Sequence, residues 1–153
     1  MTAAIRRARQ ADFDQLVAVS TRTIRACYTG FLGEDAVEGW LGSGAVDDYF
    51  RSCLADCTVL ETESVLAGFS VAKGALIDLM MIDWRRHRQG MGSLLLDHVE
   101  TDLFKAHPEL RLESFADNGP ANAFYESRGW RPGSRFEDKE AGVAKIEFSK
   151  QRA

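Results

Sequence analysis

A basic loop containing two glycines carries the clearest chemical signal in this chain. Residues 85–93 read RRHRQGMGS; they follow the apolar stretch ALIDLMMID and Trp84, and they directly precede LLL. The first amides of a helix lack acceptors and carry partial positive charge, so a bound anion satisfies several of them together. Gly90 and Gly92 keep side chains away from those amides, while the three loop arginines add positive charge. The loop therefore predicts a seat for a phosphorylated cofactor.

A second motif, NGPANAFYESRGW, occupies residues 118–130. Asn118 followed by Gly-Pro is typical of a helix start, and Gly129 is typical of the residue just past a helix end. Within that helix Tyr125 is held at a fixed position on one side, where Ala121 lies one turn earlier. A phenol with a pKa of about 10 can donate a proton near neutral pH, so Tyr125 is a candidate general acid.

Together, the two motifs resemble those of the GNAT family of acyl-CoA-dependent N-acyltransferases, and the resemblance spans Ile77 to Trp130. It implies that acetyl-CoA lies between two parallel strands that splay apart, here near Leu79–Ile82 and Leu112–Phe115. The pantetheine arm would pair with the backbone of the first strand, and the thioester sulfur would lie beside Tyr125. An amide near Met81 is expected to stabilise the oxyanion.

The cofactor contacts that this resemblance implies fall on the first strand, the glycine loop and the second motif. They are Met80, Met81, Ile82, His87, Arg88, Gln89, Gly90, Met91, Gly92, Ser93, Asn118, Ala121 and Tyr125. Two positions depart from the family pattern, because His87 stands where glutamine or arginine is common and Trp84 where proline is frequent. Since backbone amides hold most of the phosphate, we expect the loop to keep its role, with Arg86 or Arg88 supplying charge.

Acyl transfer to an amine also requires a group that removes a proton from the ammonium ion, whose pKa is about 10. Asp78 and Glu113 lie on the two strands expected to flank the cleft, so either is a candidate general base, directly or through a water. Strict alternation places Asp78 on the same strand face as Met80 and Ile82. No covalent intermediate on the enzyme is required.

Candidates for the acceptor pocket come from the first predicted helix. Tyr28 and Phe31 flank Gly30, where we expect that helix to break, and both are predicted to contact the acceptor. Other aromatic residues at helical spacing are interpreted as core.

Composition restricts the class of protein. The chain has 153 residues, 45% of them hydrophobic and 27% charged, which suits one globular domain over residues 1–153. The net charge of −4 argues against general nucleic-acid binding, and no apolar run is long enough to span a membrane. Three cysteines without partners for a metal site favour a reducing compartment, so we expect a cytoplasmic protein with no metal.

The hydrophobic pattern predicts an α+β fold (mixed α/β), in which helices and strands form one domain. A first strand is followed by a long helix that Asp12 and Gln15 would cap, two short helices, and an antiparallel meander of three strands. A helix, a strand, the nine-residue helix of the second motif and a final hairpin complete the chain. The expected architecture is one GNAT-like domain: a mostly antiparallel central sheet with a splayed parallel pair and helices on both faces.

The leading hypothesis is an acetyl-CoA-dependent N-acetyltransferase that acts on the primary amine of a small molecule by direct attack in a ternary complex. Acetylation of a protein N-terminus or lysine is one alternative, and a noncatalytic acyl-CoA-binding sensor is another. A nucleotide-binding module is disfavoured because the loop lacks both the P-loop lysine-serine pair and the G-x-G-x-x-G pattern. A homodimer is compatible with the sequence.

Overall fold

The computed structural model describes residues 2–139 and 142–153. In that part of the chain, the α-helices are α1 (Phe13–Leu32), α2 (Glu34–Gly42), α3 (Ala45–Cys53), α4 (Met91–Leu103) and α5 (Gly119–Ser127). None of the described helices is long and apolar enough to cross a membrane.

The strands form a seven-stranded mixed sheet in the order β1-β2-β3-β4-β5-β7-β6. Their bounds are β1 (Ala3–Arg7), β2 (Cys57–Thr62), β3 (Val65–Lys73), β4 (Leu76–Ile82), β5 (Glu109–Phe115), β6 (Arg131–Asp138) and β7 (Val143–Gln151). Strands β2, β3 and β4 make the predicted antiparallel meander, and α4 crosses over to bring β5 parallel to β4. The expected α+β architecture is confirmed.

The parallel pair is short. Strands β4 and β5 are in register only at Leu76 with Arg111 and Ile77 with Leu112. Beyond these pairs the two strands separate, while each keeps its antiparallel neighbour on the other side. A wedge-shaped opening therefore interrupts the middle of the sheet, and its root lies at Ile77.

Two hydrophobic clusters cover the two faces of the sheet. One contains α1 and α3 residues packed on β2, β3 and β4, with Leu16, Phe50 and Phe69 at its centre. The other packs α4 and α5 on the opposite face, around Leu95 and Trp130. The opening between β4 and β5 therefore connects the face covered by α1 and α3 with the face covered by α4 and α5.

Two local predictions for the first helix are wrong. Helix α1 continues through Gly30 to Leu32, and Gly33 (φ +91°) ends it instead. Asp12 precedes α1 but does not cap it, because its carboxylate accepts hydrogen bonds from Arg6 and the Arg9 amide. Gln15 likewise accepts from the Leu66 amide on β3 rather than closing a capping box. Asp12 is thus bonded to residues that precede it and Gln15 to a residue of β3, so neither side chain caps α1.

Candidate active site

The glycine loop presents unpaired amides at the start of α4. The first amide that bonds within the helix is that of Leu94, which donates to the Gly90 carbonyl at 3.1 Å. Throughout the described residues, the amides of residues 90–93 have no hydrogen-bond acceptor. Gly90 has φ of +79° and open space where a Cβ would be. These amides and the helix dipole fit a diphosphate.

A buried carboxylate holds this loop against α1. Asp83, which follows β4 and is fully buried, accepts from the Arg22 guanidinium at 2.7 Å and from the Arg85 guanidinium at 3.1 Å. It also accepts from the Arg85 amide. Burial opposes ionisation, but the bonds from Arg22 and Arg85 outweigh it and hold the pKa of Asp83 below its usual range. The loop is therefore anchored by a carboxylate that stays ionised.

The remaining loop side chains have different surroundings. The His87 Nε2 atom lies 2.8 Å from the Ile82 carbonyl, so the imidazole covers the end of β4. The Arg86 guanidinium donates to the Thr62 hydroxyl at 3.3 Å. Arg88 (φ +65°) is exposed and has no ion pair in the described part of the chain. Of the two predicted charge donors, Arg88 is therefore the one with a free guanidinium.

A cavity of about 440 Å³ fills the opening between β4 and β5. Its walls come from both strands, from α5, from the three N-terminal helices and from β7. The helical residues are Ser20, Ile24, Tyr28, Trp40, Val46, Tyr49, Phe50, Ala121 and Tyr125, and Asn118 and Lys145 complete the rim. The strand residues are 77–81 of β4 and 112–115 of β5. The opening therefore joins the α5 side, where Tyr125 lies, to the α1–α3 side.

A bulge changes the orientation of Asp78. Because Leu79 pairs with Val71 but Ile77 pairs with Ala72, Asp78 is an extra residue without a partner on β3. Its carboxylate accepts from the Tyr49 hydroxyl of α3 at 2.6 Å. The prediction that Asp78 shares a face with Met80 and Ile82 is wrong, since those two side chains pack on the α4–α5 side. The bulge breaks the alternation on which the prediction depended.

Main-chain groups of β4 also point into the opening. The Asp83 amide donates to the Ala67 carbonyl at 2.8 Å, and bonded pairs alternate along an antiparallel ladder. Met81 is consequently a bonded position directed at β3, whereas the N–H and C=O groups of Met80 and Ile82 face away from β3. The Met81 amide is therefore not free to stabilise the oxyanion expected near it. The amides of Met80 and Ile82 remain as the candidate donors.

Tyr125 is 8% exposed and lines the cavity. Its ring packs against Trp130 and Phe148, with centroids 6.3 and 5.9 Å away. No hydrogen bond to its hydroxyl is found among the described residues. Burial, followed by the influence of the Tyr28 phenol, raises the pKa of Tyr125 above its ordinary value. The group is thus a protonated donor at neutral pH, and the described residues offer its hydroxyl no acceptor.

The second carboxylate, Glu113, lies on β5 just beyond its last pair with β4 and lines the same cavity. It is exposed, and within residues 2–139 and 142–153 no side chain pairs with it. Both candidate bases therefore face one cavity, but only the carboxylate of Asp78 is held by a protein donor.

An aromatic cluster borders this cavity. Tyr28 lies 5.4 Å from Phe115 and 5.5 Å from Phe31 between ring centroids, and Phe31 lies 5.6 Å from Phe115. Burial raises the pKa of Tyr28 to about 12. Tyr28 lines the cavity, whereas Phe31 packs against the rings of Tyr28 and Phe115 and is not part of the lining. The two predicted acceptor contacts therefore differ in position.

Several residues near the site had no clear sequence signal. Asn122 donates to the carbonyls of Phe115 and Ala116, one turn into the helix that the predicted residue Asn118 caps by accepting from the Ala121 amide at 3.4 Å. Tyr49, Ser20 and the pair of Arg22 with Asp83 were also missed. The only signal for them was helical spacing, which places such residues on a face but does not name their long-range partners.

The described residues include no group of three or more histidine, cysteine, aspartate or glutamate side chains that could hold a metal. Cys53 and Cys57 are buried and not bonded to each other, and Cys27 is half-buried. Burial raises the pKa of all three thiols.

Residues 34–151, which include the loop, the opening and Tyr125, match the acetyltransferase (GNAT) domain family. The chain belongs to this family of acetyltransferases. It is also 30% identical over 94 residues to the peptidyl-lysine N-acetyltransferase YiaC of Escherichia coli strain K12, covering 54% of this chain and 62% of that enzyme.

Solved structures have the same fold. The PaiA N-acetyltransferase of Thermoplasma acidophilum, in complex with coenzyme A, superposes with a TM-score of 0.84 at 18% identity, covering 99% of this chain and 100% of that one. A GCN5-related N-acetyltransferase of Rhodopseudomonas palustris gives a TM-score of 0.86 at 20% identity, covering 99% and 97%. At these identities the likeness concerns the fold alone.

Proposed function

We propose that residues 1–153 form one N-acetyltransferase domain that transfers the acetyl group of acetyl-CoA to the primary amine of a small molecule. The observation that supports this most directly is the cavity through the opening in the sheet. Tyr125 lines it from the α5 side and two carboxylates line it, while the unpaired amides lie at the start of α4, the helix that follows β4. Donor and acceptor then meet in one ternary complex.

In this proposal the unpaired amides of residues 90–93 and the Arg88 guanidinium bind the diphosphate of acetyl-CoA. The main-chain groups of Met80 and the Ile82 amide, which face away from β3, contact the pantetheine and the thioester carbonyl, while the Ile82 carbonyl keeps its contact with His87. His87, Gln89, Asn118 and Ala121 keep their predicted places around the cofactor. The protein thereby fixes the acyl carbon inside the opening, which supplies proximity.

The chemical step uses the two ends of the cavity. Asp78 accepts a proton from the ammonium group, and the neutral nitrogen attacks the acyl carbon. As the new C–N bond forms and the C–S bond breaks, the Tyr125 hydroxyl donates its proton to the leaving sulfur, and the second proton of the attacking nitrogen passes through water to the resulting phenolate. We favour Asp78 over Glu113 because Tyr49 holds its carboxylate in one orientation. Proton exchange with water then restores the Asp78 carboxylate.

The shape of the acceptor side supports a small molecule. On that side α1, α2 and α3 wall the cavity with Tyr28, Trp40 and Tyr49, so the acceptor has to fit between helices. Among the described residues that line the cavity, Lys145 carries a positive charge. Its ammonium group is 2.7 Å from the Asp138 carboxylate and lies over the Phe115 ring. Because this charge is already paired, we expect it not to bind a carboxylate of the acceptor.

The test is release of free CoA from acetyl-CoA across two panels matched in amine concentration, one of small primary amines and one of lysine-containing and N-terminal peptides. We expect turnover with small amines. Turnover with peptides only would show that the acceptor is a protein N-terminus or lysine rather than a small molecule. A rise in melting temperature with acetyl-CoA, but no release with either panel, would support the noncatalytic sensor instead.

A further inference from the structure

A buried serine lies in the wall of the active-site cavity. Ser20, on α1, is 2% exposed and lines the cavity, and its Oγ has no hydrogen-bond partner among the described residues. Serine on a helix can donate to the carbonyl one turn earlier, as Thr29 does to Arg25 at 2.7 Å. No such bond is found for Ser20, so its buried hydroxyl keeps both its donor and its acceptor capacity unused among the described residues.

The surroundings of Ser20 restrict that occupant. The other buried lining residues of α1 and α3 are Ile24, Val46 and Phe50, all apolar. A charged group placed among them would lose its hydration without a counter-ion, whereas one neutral polar group could pair with the serine. Buried hydroxyls are rarely left unpaired in native proteins, so the ligand is expected to supply the missing partner.

We propose that Ser20 forms a specificity subsite that hydrogen-bonds a hydroxyl group on the stem of the acceptor amine. The preferred acceptors are then linear amino alcohols rather than plain alkylamines. A hydroxyl matches this site because it donates and accepts, as the serine itself does. The inference rests on the proposed acetyl transfer to a small amine, and it places the amine near the carboxylates and the hydroxyl between α1 and α3.

A matched control exists on the other face of the sheet. Ser70, on β3, is also 2% exposed and its Oγ also lacks a partner in the part of the chain that the structure describes. It lines a separate cavity of about 230 Å³ beside α4. Ser70→Ala therefore removes an equally buried, equally unpaired hydroxyl that the acceptor does not reach.

The experiment measures binding of amines to the CoA-saturated protein by titration calorimetry. The ligands are linear amino alcohols of increasing length and n-alkylamines of matching length. We expect the wild type to bind the best amino alcohol about 10-fold more tightly than its alkylamine partner, as one additional hydrogen bond to a buried group provides. Ser20→Ala should abolish this preference without weakening alkylamine binding, and Ser70→Ala should retain it.

Two outcomes would overturn the subsite: a preference that survives in Ser20→Ala, or no preference at any length in the wild type. Release of CoA from acetyl-CoA with the same amines tests the proposed function separately. Binding preference without turnover rejects the function and retains the subsite, whereas equal turnover of both series by wild type and Ser20→Ala retains the function and rejects the subsite.

Discussion

The Tyr49 hydroxyl donates a 2.6 Å hydrogen bond to Oδ2 of Asp78 and so ties α3 to the bulge of β4. The Lys73 ammonium group lies 3.7 Å from the same oxygen and 5.8 Å from the centroid of the Tyr49 ring. Burial and the bond to the carboxylate raise the pKa of Tyr49 above its ordinary value, so the phenol stays a donor at neutral pH. No hydrogen bond to Oδ1 of Asp78 is found among the described residues, so this oxygen is the one that the proposed reaction would use as the base.

Tyr49→Phe should lower kcat roughly 10-fold and leave the KM for acetyl-CoA unchanged, because the carboxylate loses its orientation while the cofactor contacts persist. Steady-state kinetics with acetyl-CoA and the amine varied separately check this. A variant with unchanged kcat would show that the bond does not orient the base.

Replacing each carboxylate by its isosteric amide distinguishes the roles of Asp78 and Glu113. Asp78→Asn should lower kcat by roughly 10²-fold, since an amide cannot accept the proton from the ammonium group. Glu113→Gln should lower it by less than about threefold, and melting temperatures of both variants should stay close to that of the wild type. The reverse pattern in the rate measurements would transfer the role of base to Glu113.

Tyr125→Phe should reduce turnover by roughly 10²-fold and leave the dissociation constant of acetyl-CoA unchanged, because only the proton donor to the leaving sulfur is removed. Single-turnover rates and calorimetry measure the two quantities. Weakened cofactor binding with normal turnover of the saturated enzyme would contradict the acid role.

The pH profile provides the control for this variant. Because the pKa of Tyr125 is raised above its ordinary value, the phenol should keep its proton through mildly alkaline pH. The wild-type kcat should therefore not fall between about pH 8 and pH 10. A fall in that interval that is absent from Tyr125→Phe would show that the phenol ionises there.

Gly90→Glu should abolish acetyl-CoA binding, since it places a negative charge beside the unpaired amides and the start of α4. Gly74→Glu is the matched control: both glycines have positive φ and open space at the Cβ position, but Gly74 lies in the turn between β3 and β4. Both variants should lose similar stability from backbone strain. The loop assignment is wrong if both bind acetyl-CoA equally well in a thermal-shift titration.

Asp83→Asn should reduce the free energy of unfolding near pH 7 by about 2 kcal/mol, because the charge that pairs with Arg22 and Arg85 is lost. The pKa of Asp83 is lower in the folded than in the unfolded protein, so its contribution is complete above about pH 4 and declines as pH falls toward the folded-state pKa. Urea unfolding should therefore show a smaller difference near pH 3. An equal difference at both pH values would contradict ionic stabilisation.

The order of the elements was predictable because it depends on local periodicity and punctuation. The meander, the crossover through α4 and the helix that starts after Asn118 follow from such patterns, and the structure confirms them. Gly30 illustrates the limit of this reasoning. It lies within α1, because tertiary packing of a helix face compensates for the poor helix propensity of one glycine.

The sequence by itself determined the glycine loop, the second motif and hence the family, since short-range spacing of glycines and polar groups encodes where a helix starts and which amides stay unpaired there. Tertiary structure decided which side of β4 carries Asp78, what holds its carboxylate, and that Ser20 borders the same cavity. A bulge depends on register between strands, and a buried contact depends on how helices cross a sheet. Both join residues far apart in the chain, so no local pattern records them.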